Sequence, residues 1–376
     1  MSAASTVGCR VEELITPAFL LDRAKVEVNC RNMLNTCKAM GVSLRAQTKT
    51  HKTIEVAELQ TGGTRRGLVT STLDESEFYA DHGFDDLLYG FPLIPQHMER
   101  VAALTARLNQ FHVMVDSRLA VETLREKTPP LRKKWSVFLK VDCGNNRAGV
   151  WWEDESGVDL AVALHESPSV SFMGVYVHCG NSYRSETPKD VDKIRDETIE
   201  LLLKFVDRVG KRGVKCPIVG IGSTPTCRRP GPSMKKITEL HPGNYTFLDV
   251  QQSTLGSCSQ DDIACCVATR VIGHYPRRNQ LLVDCGFLGL TKQGFGHMAT
   301  GYGVIRDHPN LRLIDMTQEI GFVDTIEGKL DYEKHPIGSL LYILPWHSCA
   351  TAAMYPFYHV IQDGVVIAEW KPTRGW

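Results

Sequence analysis

Between residues 42 and 250 the chain repeats one pattern, a short apolar strand, a polar turn and an amphipathic helix. Strands are predicted at 42–48, 67–71, 86–90, 111–115, 135–141, 172–179, 217–221 and 245–250, with helical patterns at 54–60, 75–81, 95–107, 118–126, 157–166 and 191–209. The last link holds Pro230 and Pro232 and has room only for a short helix. Eight strands alternating with helices are what a closed (β/α)8 barrel of the TIM type requires. A doubly wound open sheet would need Gly-x-Gly-x-x-Gly after its first strand, and that fingerprint is missing. The expected fold class is therefore α/β, a (β/α)8 barrel.

After Asp262 the pattern changes. "VATRVIGHY", "QLLVDCGFLGL", "GYGVIRDH", "LRLIDMTQEIGFVD", "GSLLYILPWH" and "YHVIQDGVVIAEW" read as strands joined by Gly, Asn, Asp and Pro turns. A smaller, mostly β C-terminal domain is expected over residues 263–376, after a barrel over 1–262, with residues 1–15 free to join the β domain. Lysine plus arginine equals aspartate plus glutamate at 43 each, which gives no support for a nucleic-acid or membrane-surface partner. The N-terminal residues lack the basic start and apolar core of a signal peptide, and no apolar stretch is long enough to span a bilayer. The 12 cysteines form no Cys-x-x-Cys pair and read as reduced core thiols. The expected location is cytoplasmic.

A barrel builds its site where the strands end. Lys49 of "RAQTKTHK" follows the first strand, Asn145-Asn146-Arg147 the fifth, "HCGNSY" the sixth and "GSTP" the seventh, while "HPGN" stands just before the predicted eighth. Ser223 and Thr224 of "GIGSTPT", with Gly243 and Asn244 of "HPGNY", can form a phosphate cradle. A lysine facing such a cradle across the barrel points to pyridoxal 5′-phosphate held as a Schiff base. Alternation puts Arg45, Gln47 and Lys49 on one inward face, whereas Lys52 falls at the start of the next helix. Lys140 is a competitor, but it sits mid-strand and suits an ion pair with Asp142 or support for Arg147. Tyr176 and His178 share a face, either as satisfied core polar groups or as cofactor-ring contacts. His347 and Cys349, two apart in a segment expected to be extended, offer nitrogen and sulfur to zinc, although spacing alone favours a buried cysteine beside an unrelated histidine.

The segments "RAQTKTHKT", "VDCGNNRAGV", "VYVHCGNSY", "GIGSTPTC", "TELHPGNYTF", "LLVDCG" and "PWHSCATAAMYP" resemble, in order, the eukaryotic D-serine dehydratases. These are fold-type III pyridoxal-phosphate enzymes related to alanine racemase and D-threonine aldolase. The resemblance implies a homodimeric lyase that converts D-serine to pyruvate and ammonia. It implies Lys49 as the Schiff-base lysine and general base, Tyr176 and Tyr183 at the cofactor, and Thr224, Gly243 and Asn244 at its phosphate. Arg147 is implied near the cofactor's phenolic oxygen, and His347 with Cys349 as ligands of a Zn2+ that assists loss of the β-hydroxyl. Related activities on such a scaffold are D-threonine aldol cleavage and 3-hydroxyaspartate dehydration, and a non-enzymatic pyridoxal-phosphate carrier is a further class. Family members usually carry Arg-Pro-His where this chain has Arg45-Ala46-Gln47.

Overall fold

The structure is a computed structural model, and it describes residues 5–376. The chain forms two compact units. One holds Arg31–Gly243 with Thr373–Trp376, and the other holds the described residues up to Cys30 with Asn244–Pro372. The boundary expected at residue 262 and the observed division at 243 differ, and residues 16–30 group with the β unit.

In the first unit a parallel sheet runs in the order Ser43–Leu44, Glu239–Leu240, Ile218–Gly222, Val170–His178, Trp135–Asp142, Gln110–Val115, Asp86–Pro92, Arg66–Thr70, Ala46–Gln47. Its first and last members are two halves of one strand, interrupted at Arg45. Ser43 pairs with Glu239 and Ala46 with Leu68, so the ends of the order meet and eight strand positions close into the expected barrel. Val69, Leu88, Met114, Phe138 and Tyr176, one from each of five consecutive strands, form a packed cluster.

Below that cluster lies charge. The buried Arg45 guanidinium reaches Asp86 at 2.6 Å and Glu239 at 3.1 Å, and His112 bonds Asp86 at 3.2 Å. Burial alone would raise the Asp86 carboxyl, but bonds from His112 and Arg45 hold it well below the usual range. Asp86 and Glu239 open their strands, so this cluster lies toward the end opposite that where barrel sites form.

Most barrel elements lie where the pattern put them. Helices Ile54–Gln60 and Arg118–Glu126 match residue for residue. The long helix starts earlier, at Pro188, because Thr187 and Asp190 form a capping box before it. Two expectations fail. The eighth strand is Glu239–Leu240, not 245–250, where the chain forms a 3-10 turn at Asn244–Thr246 and a short helix at Val250–Thr254. The true strand hides because its two residues include a charge, which Arg45 neutralises, whereas "YTFLDV" is apolar for burial without pairing. Helix Arg23–Met40 was also missed. Its buried positions Val26, Cys30, Met33 and Cys37 keep helical spacing, but two of the four are cysteines on an otherwise polar segment.

The β unit is a nine-stranded sheet with the main order Leu311–Met316, Gly321–Thr325, Gln280–Val283, Cys265–Tyr275, Ala18–Asp22, Tyr358–Gln362, Val365–Trp370. Strands Gly303–Ile305 and Leu340–Pro345 branch from it. Ala18–Asp22 lies inside the sheet, antiparallel to Cys265–Tyr275 and parallel to Tyr358–Gln362. Asp363 and Gly364 turn the last hairpin with φ of 50° and 75°, the left-handed pair that a tight two-residue loop demands. No helix among the described residues is long and apolar enough to cross a membrane.

Candidate active site

Lys49 stands at the carboxyl end of the split strand. Its neighbours Thr48 and Thr50 are buried, and Lys49 itself is exposed. The Thr48 hydroxyl donates to the Val69 carbonyl and to Glu75 Oε2, both at 3.0 Å, which pins the strand end. The Gln47 amide oxygen accepts the Lys49 backbone N–H at 3.1 Å. His51 is fully buried between Thr53 and Gln60, and burial pushes its pKa down to about 4. Lys52, in a left-handed conformation, pairs with Glu75 at 2.8 Å. Of the two lysines in "KTHK", one is committed to a structural ion pair and the other faces open space.

The "HPGN" turn follows the eighth strand, where the sequence pattern had put it ahead of one. Closure of the barrel sets it beside Lys49 rather than across from it. The Gln47 N–H donates to the Pro242 carbonyl at 2.9 Å, and a Cβ on Gly243 would stand 2.9 Å from the Gln47 carbonyl oxygen. Only glycine permits that approach. On the neighbouring seventh strand, Ser223 caps the short helix Thr224–Arg228, and its hydroxyl also meets Ser182 Oγ at 2.8 Å. That hydroxyl is engaged by the protein, so at a phosphate Ser223 would offer its backbone N–H. The Tyr183 hydroxyl accepts the Thr224 N–H at 3.4 Å, which places Tyr183 over the same turn.

The fifth strand ends on Asp142, whose carboxylate organises the loop after it. Its Oδ1 accepts the N–H groups of Gly144, Asn145 and Asn146, and its Oδ2 accepts that of Arg147 at 2.9 Å. Asp142 is thus occupied with the turn and forms no ion pair with Lys140, contrary to the expectation. Aspartate ahead of Gly-Asn-Asn was the available signal. Arg147 is exposed. Lys140 is 3% exposed, with Nζ 5.9 Å from the Tyr176 ring centre. Burial, then the charge of Arg147, lowers its pKa to about 8. His178 Nδ1 bonds the Gly222 carbonyl at 2.9 Å and must carry the proton there. Burial, then Lys49 and Arg147, brings its pKa down to about 3. Lys49, Lys140, Arg147 and His178 therefore share one electrostatic neighbourhood. Tyr176 stacks on His241, the first residue of the "HPGN" segment, for which the sequence reading assigned no role of its own.

In the β unit, His347 Nδ1 meets Gln293 Oε1 at 2.7 Å, a bond that helps to orient the imidazole. Cys349 lies in the helical turn Ser348–Ala352, so the segment is not extended as expected; His347 caps that turn. Between them, Ser348 donates its N–H and hydroxyl to Asp249 Oδ2, at 2.9 and 3.2 Å. The Asn244 amide donates to Asp249 at 2.7 Å and to Ser348 at 2.8 Å. Its side chain is thus turned to this segment, and a phosphate would meet its backbone. Asp249 is fully buried and was missed, because an aspartate after "YTFL" carries no motif. No group of three or more His, Cys, Asp or Glu that could hold a metal occurs among the described residues. The imidazole and thiol are the soft donors zinc prefers, and two protein ligands would leave coordination positions open.

An exposed strand-end lysine beside a glycine turn fits pyridoxal phosphate, and the fold agrees. The family described as "Alanine racemase, N-terminal domain" matches residues 21–250, and "Putative serine dehydratase domain" matches residues 264–361. The class is that of the fold-type III pyridoxal-phosphate scaffolds. D-serine dehydratase of Dictyostelium discoideum is 34% identical over 97% of this chain and 98% of its own length. D-serine dehydratase of Schizosaccharomyces pombe is 31% identical, covering 98% and 94%. The structure of D-threo-3-hydroxyaspartate dehydratase from Delftia sp. HT23 superposes with a TM-score of 0.91 at 28% identity, over 98% of this chain and all of that one. The chain belongs to the D-serine dehydratase family, a family of lyases within the alanine racemase group.

Proposed function

We propose that the protein dehydrates and deaminates D-serine to pyruvate and ammonia, using pyridoxal phosphate and zinc. The observation that carries this is Lys49, exposed between two buried threonines at the end of a strand whose Gln47 packs against the Pro242–Gly243 turn. Lys49 would hold the cofactor covalently through Nζ. Arg147, Tyr176 and Tyr183 would meet its ring and phenolic oxygen, while Ser223, Thr224, Gly243 and Asn244 would hold its phosphate. His347 and Cys349 would hold the zinc. When bound, the cofactor spreads the negative charge left at Cα, and the metal assists departure of hydroxide, a poor leaving group.

The chain's own groups supply the rest. The freed Lys49 amine takes the Cα proton as general base. Arg147 and Lys140 present positive charge to the anionic substrate and cofactor. His178, held neutral with its Nδ1–H on Gly222, gives the site a fixed polar wall and no competing acid. The scattered cysteines of the sequence, with no Cys-x-x-Cys pair, support the reading of a reducing, cytoplasmic location. The exposed apolar side chains Phe287, Leu288 and Phe295 support a homodimer.

The test is release of pyruvate and ammonia from D-serine, L-serine, D-threonine and D-3-hydroxyaspartate, with and without chelator. Turnover of D-serine alone among the serines, lost in chelator and restored by zinc, is expected. Full activity in chelator removes the zinc role, and glycine plus an aldehyde from D-threonine would show an aldolase. A second reading, dehydration of D-threo-3-hydroxyaspartate, is favoured by the 0.91 TM-score above.

A further inference from the structure

His241 lies on the inward face of the barrel, two residues after Glu239, and is 4% exposed. Neither of its ring nitrogens has a hydrogen-bond partner among the described residues. Buried polar atoms left this way are costly, so their retention calls for a use. The ring lies flush on Tyr176, with centroids 3.6 Å apart and planes 7° from parallel. Two glycines of the seventh strand make the slot. A Cβ on Gly220 would stand 2.9 Å from His241 Nε2, and one on Gly222 would stand 2.7 Å from Nδ1. A larger residue at either position would push the imidazole off the phenol. An aliphatic side chain at 241 would fill the slot without stranding two nitrogens, but it would offer the phenol no flat face.

We propose that His241 is a positioning residue for the cofactor: locked between Gly220 and Gly222, it fixes the plane of Tyr176 and thereby the direction in which the phenol meets the pyridoxal ring. This rests on the assignment of Tyr176 as a cofactor-ring contact. His241 acts through Tyr176 and touches no reacting atom. It does so as a neutral ring, since burial, then the nearby His178, Arg45 and Lys140, disfavours its protonation. Lys140 Nζ, 5.9 Å from the Tyr176 ring centre, belongs to the same assembly.

The test is a double-mutant cycle read by cofactor binding. Apoprotein of the wild type, His241→Ala, Tyr176→Phe and the double variant is titrated with pyridoxal phosphate, following the visible absorption band. Each single substitution is expected to weaken binding roughly tenfold or more and to move the band in the same direction. The double variant is expected to bind like Tyr176→Phe alone. Wild-type affinity in His241→Ala, or losses that multiply in the double variant, would overturn the proposal. Gly220→Ala keeps the imidazole and displaces it, so it covers the case in which His241→Ala does not fold. It is expected to weaken binding and move the band, and unchanged binding there would overturn the proposal as well. No saturable band in the wild type would refute the cofactor assignment itself, and this inference with it.

Discussion

At the scale of single residues, two buried groups stand close in the chain to the proposed site residues Lys49 and His347–Cys349. His51 sits in the "KTHK" segment but is not part of a titrating site. Its pKa is about 4 in the fold against an ordinary 6.5, so the folded state resists its protonation. A base with a depressed folded pKa contributes stability that is complete above pH 6.5 and is lost as pH falls toward 4. Roughly 3 kcal/mol is at stake. Denaturant melts of the wild type should weaken across that window, and His51→Gln should flatten the slope there; an unchanged slope would contradict the assignment. Asp249 is the other group, fixing the residue between the two proposed zinc ligands. Asp249→Asn should lower zinc affinity about 10- to 100-fold in competition with a chelator. Equal affinity would show that the ligand pair needs no such support. Neither role was legible in the sequence, because His51 is set by burial that its local motif does not announce and Asp249 by a partner 99 residues away. The strand-end position of Lys49 was legible, since strand alternation and the strand-end rule both pointed to it.

Elements show the same division between local and distant causes. Helices with a capping signal and an apolar stripe, such as Arg118–Glu126, could be placed from sequence to the residue. The eighth strand could not, because Glu239 is acceptable inside the barrel only through Arg45, nearly 200 residues away. Ala18–Asp22 was invisible for a related reason, as its antiparallel partner strand starts at Cys265. The long helix Pro188–Lys211 has its cap written locally. Thr187 accepts the Asp190 N–H at 3.3 Å, and the Asp190 carboxylate returns to the Thr187 N–H at 2.9 Å. Thr187→Ala should therefore lower stability by about 1 kcal/mol in chemical denaturation with activity intact. A loss well below that would mean the helix is held by its packed face alone. Gly174 is less forgiving: its φ is +136°, and a Cβ would overlap the Ile218 carbonyl oxygen at 1.9 Å. Gly174→Ala should prevent soluble expression or melt far below the wild type.

For the whole molecule, the two units divide the proposed chemistry. The barrel carries the lysine, the glycine turn and the stacked Tyr176–His241 pair, and the β unit carries the imidazole and thiol for zinc. The alternation of strand and helix predicted the barrel because each strand could be read locally, and the strand-rich C-terminal third was equally plain. The reach of the β unit back to Cys30 was not, since it rests on pairing between chain ends. The central claim is that Lys49 is the residue holding the cofactor. Holoenzyme reduced with borohydride and mapped by peptide mass spectrometry tests that claim most directly. The reduced pyridoxyl phosphate mass should appear on Lys49 and be absent from Lys52 and Lys140. The label on either of those lysines, with Lys49 unmodified, would contradict it.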